Sequence, residues 1–415
     1  MREKRVWARL LGLERAVVES VEVDDNEQVV VAVRPHHRER DRCGICGRRA
    51  PGFDLGEGRR RWRALDFGTT IVWVEADAPR VKCPEHGVVV VAVPWARHGS
   101  RFTRAFEQQV AWLAVNTSGS AVAELMRISW RSVGRICERV AKEAGHEADL
   151  LAGLERIGID EISHRKGHRY LTVVVDHDTG RLIWAAPGRD KATVEAFFDA
   201  LGAKRTRRLK LVSCDMAGWI EAVLVKRCPK AKRCVDPFHV VQLATEALDE
   251  IRREVWREAR RAGQGDAAAE LKGARYALWK NPENLTARQQ SKLADIERLN
   301  RPLYRAYLLK EQLRQIYRLG PRAAVRLLDE WLAWARRCRL KPFVKLARTI
   351  AAQREGIVAA IRHGLSNARV EAINTQIRLI ARRAFGFHSP QALISLAMLK
   401  LGGLCPPLPG RVTVT

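Results

Sequence analysis

The feature that most limits how this chain can fold lies between residues 156 and 236, where short branched apolar runs alternate with helix-length segments. Arg156-Ile157-Gly158-Ile159-Asp160-Glu161 alternates apolar and other residues up to an acid, the pattern of a half-buried strand. Tyr170–Val175 is a second strand, and Asp178-Thr179-Gly180 is a hairpin turn into a third, Arg181–Ala186. A helix from Lys191 to Leu201 then crosses to the strand Leu209–Ser213, and a helix from Gly218 to Arg227 leads to a fifth, Arg233–Asp236. Pro237 opens a long helix containing His239.

Acids stand where these strands leave the core. Asp160 ends the first strand and Asp215 lies just past the fourth. Ser366–Asn374 has helical periodicity: Asn367, Glu371, Asn374 and Arg378 recur at steps of four, three and four, opposite Val370, Ile373, Ile377 and Ile380. Two strand-end acids and one helical acid suit a pair of magnesium ions, which take hard oxygen ligands. Such a pair activates a water or hydroxyl and stabilises both the attacking and the leaving oxygen of a phosphodiester. Each acid also has a plainer reading: Asp215 as a helix N-cap, Glu371 as a solvated helical residue. Asp236 also ends a strand and is the rival second carboxylate. With His239 it could instead order the site edge, contact DNA or cap the helix that Pro237 opens.

Upstream, residues 1–97 read as a β-rich module with strands at Gln28–Val33 and Thr70–Glu75. Cys43-Gly44-Ile45-Cys46 and Cys83-Pro84-Glu85-His86 are two pairs with two-residue gaps, the spacing that puts both members on one tetrahedral metal. Four such ligands suit structural zinc; the alternative is buried thiols and an exposed histidine. From Arg101 to Asp149 the pattern turns helical, and Ala121–Ile136 reads as a helix, a turn near Ile128 and a second helix capped by Ser129. That helix offers Trp130, Arg131 and Arg135 to a major groove.

Charge agrees with a polyanionic partner: 74 Lys and Arg against 47 Asp and Glu leave +27, with a pI near 10.4. The longest apolar stretch, Ala392–Leu401, is too short to span a bilayer and contains Lys400, and the charged N-terminus is no signal peptide, so a cytoplasmic protein is expected. Nine cysteines, an odd number, argue for thiols and a metal rather than disulfides. Residues 251–360 are helical and basic, with Trp256, Trp279, Trp331 and Trp334 interspersed. These rings could stack on displaced bases, although packing in the region's own core is the ordinary fate of most. The Pro- and Gly-rich tail after Leu401 reads as a loosely held end.

Asp160-Glu161 with Lys166-Gly167-His168-Arg169-Tyr170, Asp215-Met216, Val235–Val241 and Ser366–Asn374 together resemble the transposases of the ISL3 group of bacterial insertion sequences. The resemblance covers nearly the whole chain, except that relatives usually carry a cysteine where His86 stands. It implies a multidomain α/β plus α protein: a zinc-binding DNA-recognition module over 1–97, a helix-turn-helix over 98–150, and a ribonuclease H-like catalytic domain over 151–250. An all-helical insertion over 251–360 would interrupt that domain, which resumes over 361–404 before a tail, 405–415. It further implies an Asp160, Asp215 and Glu371 triad holding two Mg2+, for which Mn2+ can substitute, and one structural Zn2+. Asn367 and Asn374, with Asp236 and His239, would support the triad.

By the same resemblance Arg59, Arg60, Arg61 and Arg63 become phosphate contacts on terminal inverted repeats, with a solvated arginine run as the alternative. Lys166 and His168 become contacts to the scissile phosphate, with Tyr170 either beside them or simply packed in its strand. A homodimer acting on double-stranded DNA is expected. The competing classes are a non-catalytic DNA-binding relative and a nuclease on the same fold.

Overall fold

The computed structural model describes residues 2–165, 167–384 and 387–411. The chain forms two compact units, Met1–Leu150 with Ile377–Thr415, and Leu151–Gln376.

The first unit opens with a four-stranded sheet in the order Ala16–Val23, Val29–Pro35, Val72–Asp77, Arg59–Arg63. Val29 pairs with Val72 in parallel, so the two apolar runs of the sequence are neighbours. Val31, Val33, Val72 and Val74 form its core with Trp62 and Trp95. A three-stranded sheet of Gly52–Asp54, Arg80–Cys83 and Gly87–Val90 follows. Its core is only Cys43, Ala50, Val81, Cys83 and Val91, too little apolar material to hold a module by itself.

Three helices come next: Arg104–Asn116, Gly119–Leu125 and Trp130–Glu147. The turn between the last two passes through Arg127 in the left-handed region (φ 51°), and the Ser129 hydroxyl accepts the Ser132 N–H at 3.3 Å to cap the second helix. Glu107, fully buried, accepts from Ser100 Oγ (2.7 Å), Arg97 Nη1 (3.0 Å) and Arg139 Nε (2.8 Å), tying the first helix to the third. The apolar helix Pro390–Leu401 packs on Trp130–Glu147, whose buried face is Val133, Ile136, Cys137 and Val140. The stretch 361–404, expected to be one piece, is therefore divided at Gln376, because its final helix buries its apolar surface within the first unit.

The second unit holds a five-stranded sheet in the order Leu182–Pro187, Arg169–Asp176, Arg156–Arg165, Leu211–Cys214, Lys232–Val235. The first three strands are antiparallel, and Leu211–Cys214 runs parallel to both of its neighbours. The first strand in sequence therefore pairs with the fourth. The Asp176 carboxylate accepts from the Thr179 hydroxyl (2.6 Å) and the Asp178 N–H (3.0 Å), holding the hairpin turn. Lys191–Leu201 and Gly218–Arg227 form the two crossing helices as expected. From Pro237–Arg261 to Arg354–His363 the chain is helical around its own core, where Trp331 is fully buried and donates to Leu309 O at 2.8 Å. Trp279 and Trp334 pack against the same core, so packing claims these rings. Among the described residues no helix is long and apolar enough to cross a membrane.

Candidate active site and metal centre

Cys43, Cys46, Cys83 and His86 converge in the first unit, their ligand atoms all within 4.8 Å of one another. Cys43 Sγ lies 3.8 Å and Cys83 Sγ 3.6 Å from His86 Nδ1, and Cys46 Sγ lies 3.8 Å from Cys83 Sγ. Tetrahedral zinc, with bonds of about 2.3 Å to sulfur and about 2.0 Å to nitrogen, requires donor separations of about 3.6–3.8 Å. The donors therefore fit zinc, with histidine as the fourth ligand. Gly44 is required in this loop: a Cβ there would lie 2.4 Å from Val90 O and 2.5 Å from His98 Nδ1. All nine cysteines are free thiols.

In the second unit, register aligns the acids. Ser213 pairs with Gly158 and Cys214 with Val235, so Asp160, Asp215 and Asp236 stand level at the edge where Leu211–Cys214 and Lys232–Val235 end. Asp160 itself is mid-strand and does not end its strand as expected, because the hairpin pairing carries Arg156–Arg165 on beyond it. That edge is where open α/β sheets bind ligands. The helix Ala368–Arg383 lies against the same strands. Gly158 permits its approach, since a Cβ there would meet Val370 Cγ2 at 2.4 Å. Asn374 donates from Nδ2 to Asp160 Oδ2 at 2.8 Å, and Glu371 lies on the same helix, one turn before Asn374. The Glu371 N–H bonds Asn367 O at 2.8 Å.

Asn367, fully buried, fastens that helix: its N–H donates to Asp236 Oδ1 (3.1 Å), its Nδ2 to Ile159 O (3.4 Å), and its Oδ1 accepts from the Ser213 hydroxyl. Ser213 also bonds His177 Nε2 at 2.6 Å. The other Asp236 oxygen lies 3.0 Å from His239 Nδ1. Asp236 holds the N-cap position of its helix but makes no side-chain cap bond, so it is a clasp for Asn367 and His239 and not a cap. Asp215 Oδ1 accepts the Ala217 N–H at 2.8 Å, while the following helix has Ala217 at its N-cap position, so Asp215 does not cap it either.

These environments shift proton affinities. Burial pushes the Asp160 carboxyl up to about 6, with the charges of Asp215 and Asp236 adding to it and His239 opposing. Burial, then Asp215 and Asp160, push Glu161 up to about 7. The bond to Asp236 raises His239, which keeps its proton more firmly. Burial and then the Arg369 guanidinium push His177 down to about 4, so it is neutral. Two buried oxygens beside Asp160, Glu161 Oε1 and Asn374 Oδ1, have no hydrogen-bond partner among the described residues. Hard, unsatisfied oxygens among level carboxylates fit a divalent cation such as magnesium. The ligand atoms of Asp160, Asp215 and Glu371 do not all lie within 4.8 Å of one another; among the described residues only the Cys and His set does.

The expected DNA contacts divide. Trp130, Arg131 and Arg135 are exposed on the second helix of the turn, and the Trp130 ring stacks on His388 at 4.8 Å. Arg63 is buried and paired with Asp66 at 2.5 Å, so it does not reach the surface and is withdrawn as a phosphate contact. Arg59 and Arg61 pair with Glu75 at 3.2 and 2.7 Å, because the strand next to theirs supplies that acid, and Arg60 donates to Ser100 O at 2.8 Å. His168 is exposed at a hairpin tip, eight residues beyond Asp160 in the chain. Lys166 lies outside the described residues. Both belonged to the expected phosphate contacts; the first strand runs on to Arg165, carrying that tip roughly 16 Å past the acid at about 3.3 Å per residue.

Sequence reasoning missed Glu161, Arg189, Ser213, His177 and His388. Ser213 had a legible signal, standing two residues before Asp215. Strand alternation hid Glu161, and the rest approach their partners only through the fold.

Known proteins resemble the chain throughout. Residues 157–397 match the ISL3 DDE family described as "Transposase", 91–141 the helix-turn-helix domain of transposase family ISL3, and 39–86 the zinc-finger of transposase IS204/IS1001/IS1096/IS1165. The transposase for insertion sequence element IS1557 of Mycobacterium tuberculosis is 53% identical over 99% of this chain and 98% of its own length. The transposase for IS1001 of Bordetella parapertussis is 29% identical over 80% of this chain and 82% of its own.

Proposed function

The chain belongs to the ISL3 family of transposases, DNA-binding enzymes that cleave and transfer DNA strands, and from that premise we propose that Asp160, Asp215 and Glu371 form its catalytic triad, acting with two divalent ions, ordinarily Mg2+. The observation that carries this reading is the level alignment of Asp160, within its strand, with Asp215 and Asp236, just past the ends of the two neighbouring parallel strands, under a helix that reaches Asp160 through Asn374. A pairing of first and fourth strands after an antiparallel start supports a ribonuclease H-like core, with the helices of 251–360 as an insertion before the Glu371 helix.

Bound magnesium would activate a water or a 3′-hydroxyl and stabilise the leaving oxygen. The chain's own residues prepare the site. Asn374 fixes the rotamer of Asp160; Asn367 and Asp236 fix the helix that carries Glu371; His239 holds a proton at Nδ1 against Asp236. Asp160 and Asp215 are each held by a separate protein donor, and with Glu371 they would be the residues that hold the ions.

The first unit would hold the terminal inverted repeats of the element: Trp130, Arg131 and Arg135 at the major groove, and one structural Zn2+ on Cys43, Cys46, Cys83 and His86. Cleaving two element ends in one reaction calls for a homodimer, working in the cytoplasm. The test is cleavage of labelled terminal-repeat DNA in Mg2+ by the native chain, Asp160→Ala and Glu371→Ala. Cutting by the native chain alone is expected; equal cutting by all three sinks the triad, and binding without cutting by any would make the protein a DNA-holding relative.

A further inference from the structure

Glu161 has a chemistry that the triad leaves unused. It follows Asp160 on the strand, yet its side chain is only 5% exposed. Oε1 is buried with no partner among the described residues, and Oε2 has only Arg189, whose Nε stands 3.6 Å away, beyond a hydrogen bond. It is the strand neighbour of Asp160, and the charges that act on it are those of Asp215, Asp160, Arg189 and His239. A buried carboxylate normally finds donors for both oxygens, and leaving one orphaned is costly. The other acids on this edge have found theirs: Asp160 from Asn374, Asp215 from Ala217, Asp236 from Asn367 and His239. Arg189, resting over the Tyr170 ring at 4.9 Å with its side chain 46% exposed, is too distant and too solvated to satisfy Glu161.

We propose that Glu161 is a fourth carboxylate ligand of the divalent-cation site, its free Oε1 reserved for the ion and Arg189 its partner when the site is metal-free. The proposal rests on the triad reading above and adds a ligand to it. Arg189 then competes with the cation for one carboxylate, and occupancy by the cation releases its guanidinium toward solvent, where a DNA phosphate would be met.

Titration of the full-length, zinc-loaded protein with Mn2+, followed by the electron paramagnetic resonance of the free ion, separates the two ideas. Asp160→Asn should abolish tight Mn2+ binding; if it does not, the triad reading itself fails. With that established, Glu161→Gln, which keeps shape and removes charge, should weaken binding about tenfold or more. Arg189→Gln should tighten binding several-fold by removing the competing cation. Zinc content and the melting temperature confirm that each variant is folded. Unchanged Mn2+ affinity in Glu161→Gln, alongside its loss in Asp160→Asn, would reduce Glu161 to a buried ion-pair residue. If Glu161→Gln does not fold, unchanged affinity in Arg189→Gln overturns the proposal in its place.

Discussion

The two metal-binding regions of this molecule are built on opposite plans. In the first unit four donors are already spaced at the edges of a zinc tetrahedron, in a module whose apolar core is five residues, two of them ligands. In the second unit Asp160, Asp215 and Asp236 sit on a sheet that has an ample core of its own, and each of the three is held by a protein donor. Soft thiolate and imidazole donors suit a site closed on all sides by protein, whereas neighbouring carboxylates repel one another unless a proton or a cation lies between them. A closed site serves to fold its module; an open one leaves room for water and a phosphate.

The largest test of that contrast removes zinc. Cys83→Ser should eliminate bound zinc, a loss on the order of 10 kcal/mol of binding free energy in such modules. Amide exchange across residues 39–91 should become fast while the strands from 156 to 235 stay protected. Protection surviving in the metal-free module would break the contrast. Next in size, Asp160→Asn should lower strand cleavage by about a thousandfold, equivalent to about 4 kcal/mol, while leaving the melting temperature and terminal-repeat affinity close to native. A collapse of folding in that variant would mean that the open site is structural after all.

Smaller is the effect of Gly158→Ala, whose Cβ collides with Val370 and crowds His177. A cost of about 1–3 kcal/mol in denaturant unfolding is expected from overpacking, with cleavage falling further than stability because the Glu371 helix must shift. Equal losses would indicate that the helix position is not critical to the chemistry.

The smallest effect is on pH. Asp160, at about 6 when folded, binds its proton more tightly than an unfolded aspartate at about 3.9. Its contribution is therefore full below about pH 4 and is lost as pH rises through 6. His177, lowered to about 4, works in the opposite sense, losing stability as pH falls below about 6.5. The melting temperature of metal-free wild type relative to Asp160→Asn isolates the first term and should decline from pH 4 to 7, with added Mg2+ reversing the decline. A flat difference would show Asp160 to be as solvated as an ordinary surface acid.

Much of this was written in the chain. Alternation at Ile157 and Ile159, the Asp178-Thr179-Gly180 turn and Pro237 each act within a few residues, so strands, hairpin and helix start could be read directly, as could the Cys and His pairs. The face of Asn367, Glu371 and Asn374 was equally legible, because helical period alone aligns them. What tertiary structure alone decided was the partner of each polar group: that Asp236 clasps Asn367 instead of capping its helix, that Arg63 is spent on Asp66, that the helix Pro390–Leu401 belongs with Trp130–Glu147, and that Glu161 Oε1 is buried with no donor among the described residues. Local periodicity follows from backbone geometry that neighbouring residues share, but a buried charge takes whichever donor the fold brings to it, from 131 residues away in the case of Asp236 and Asn367.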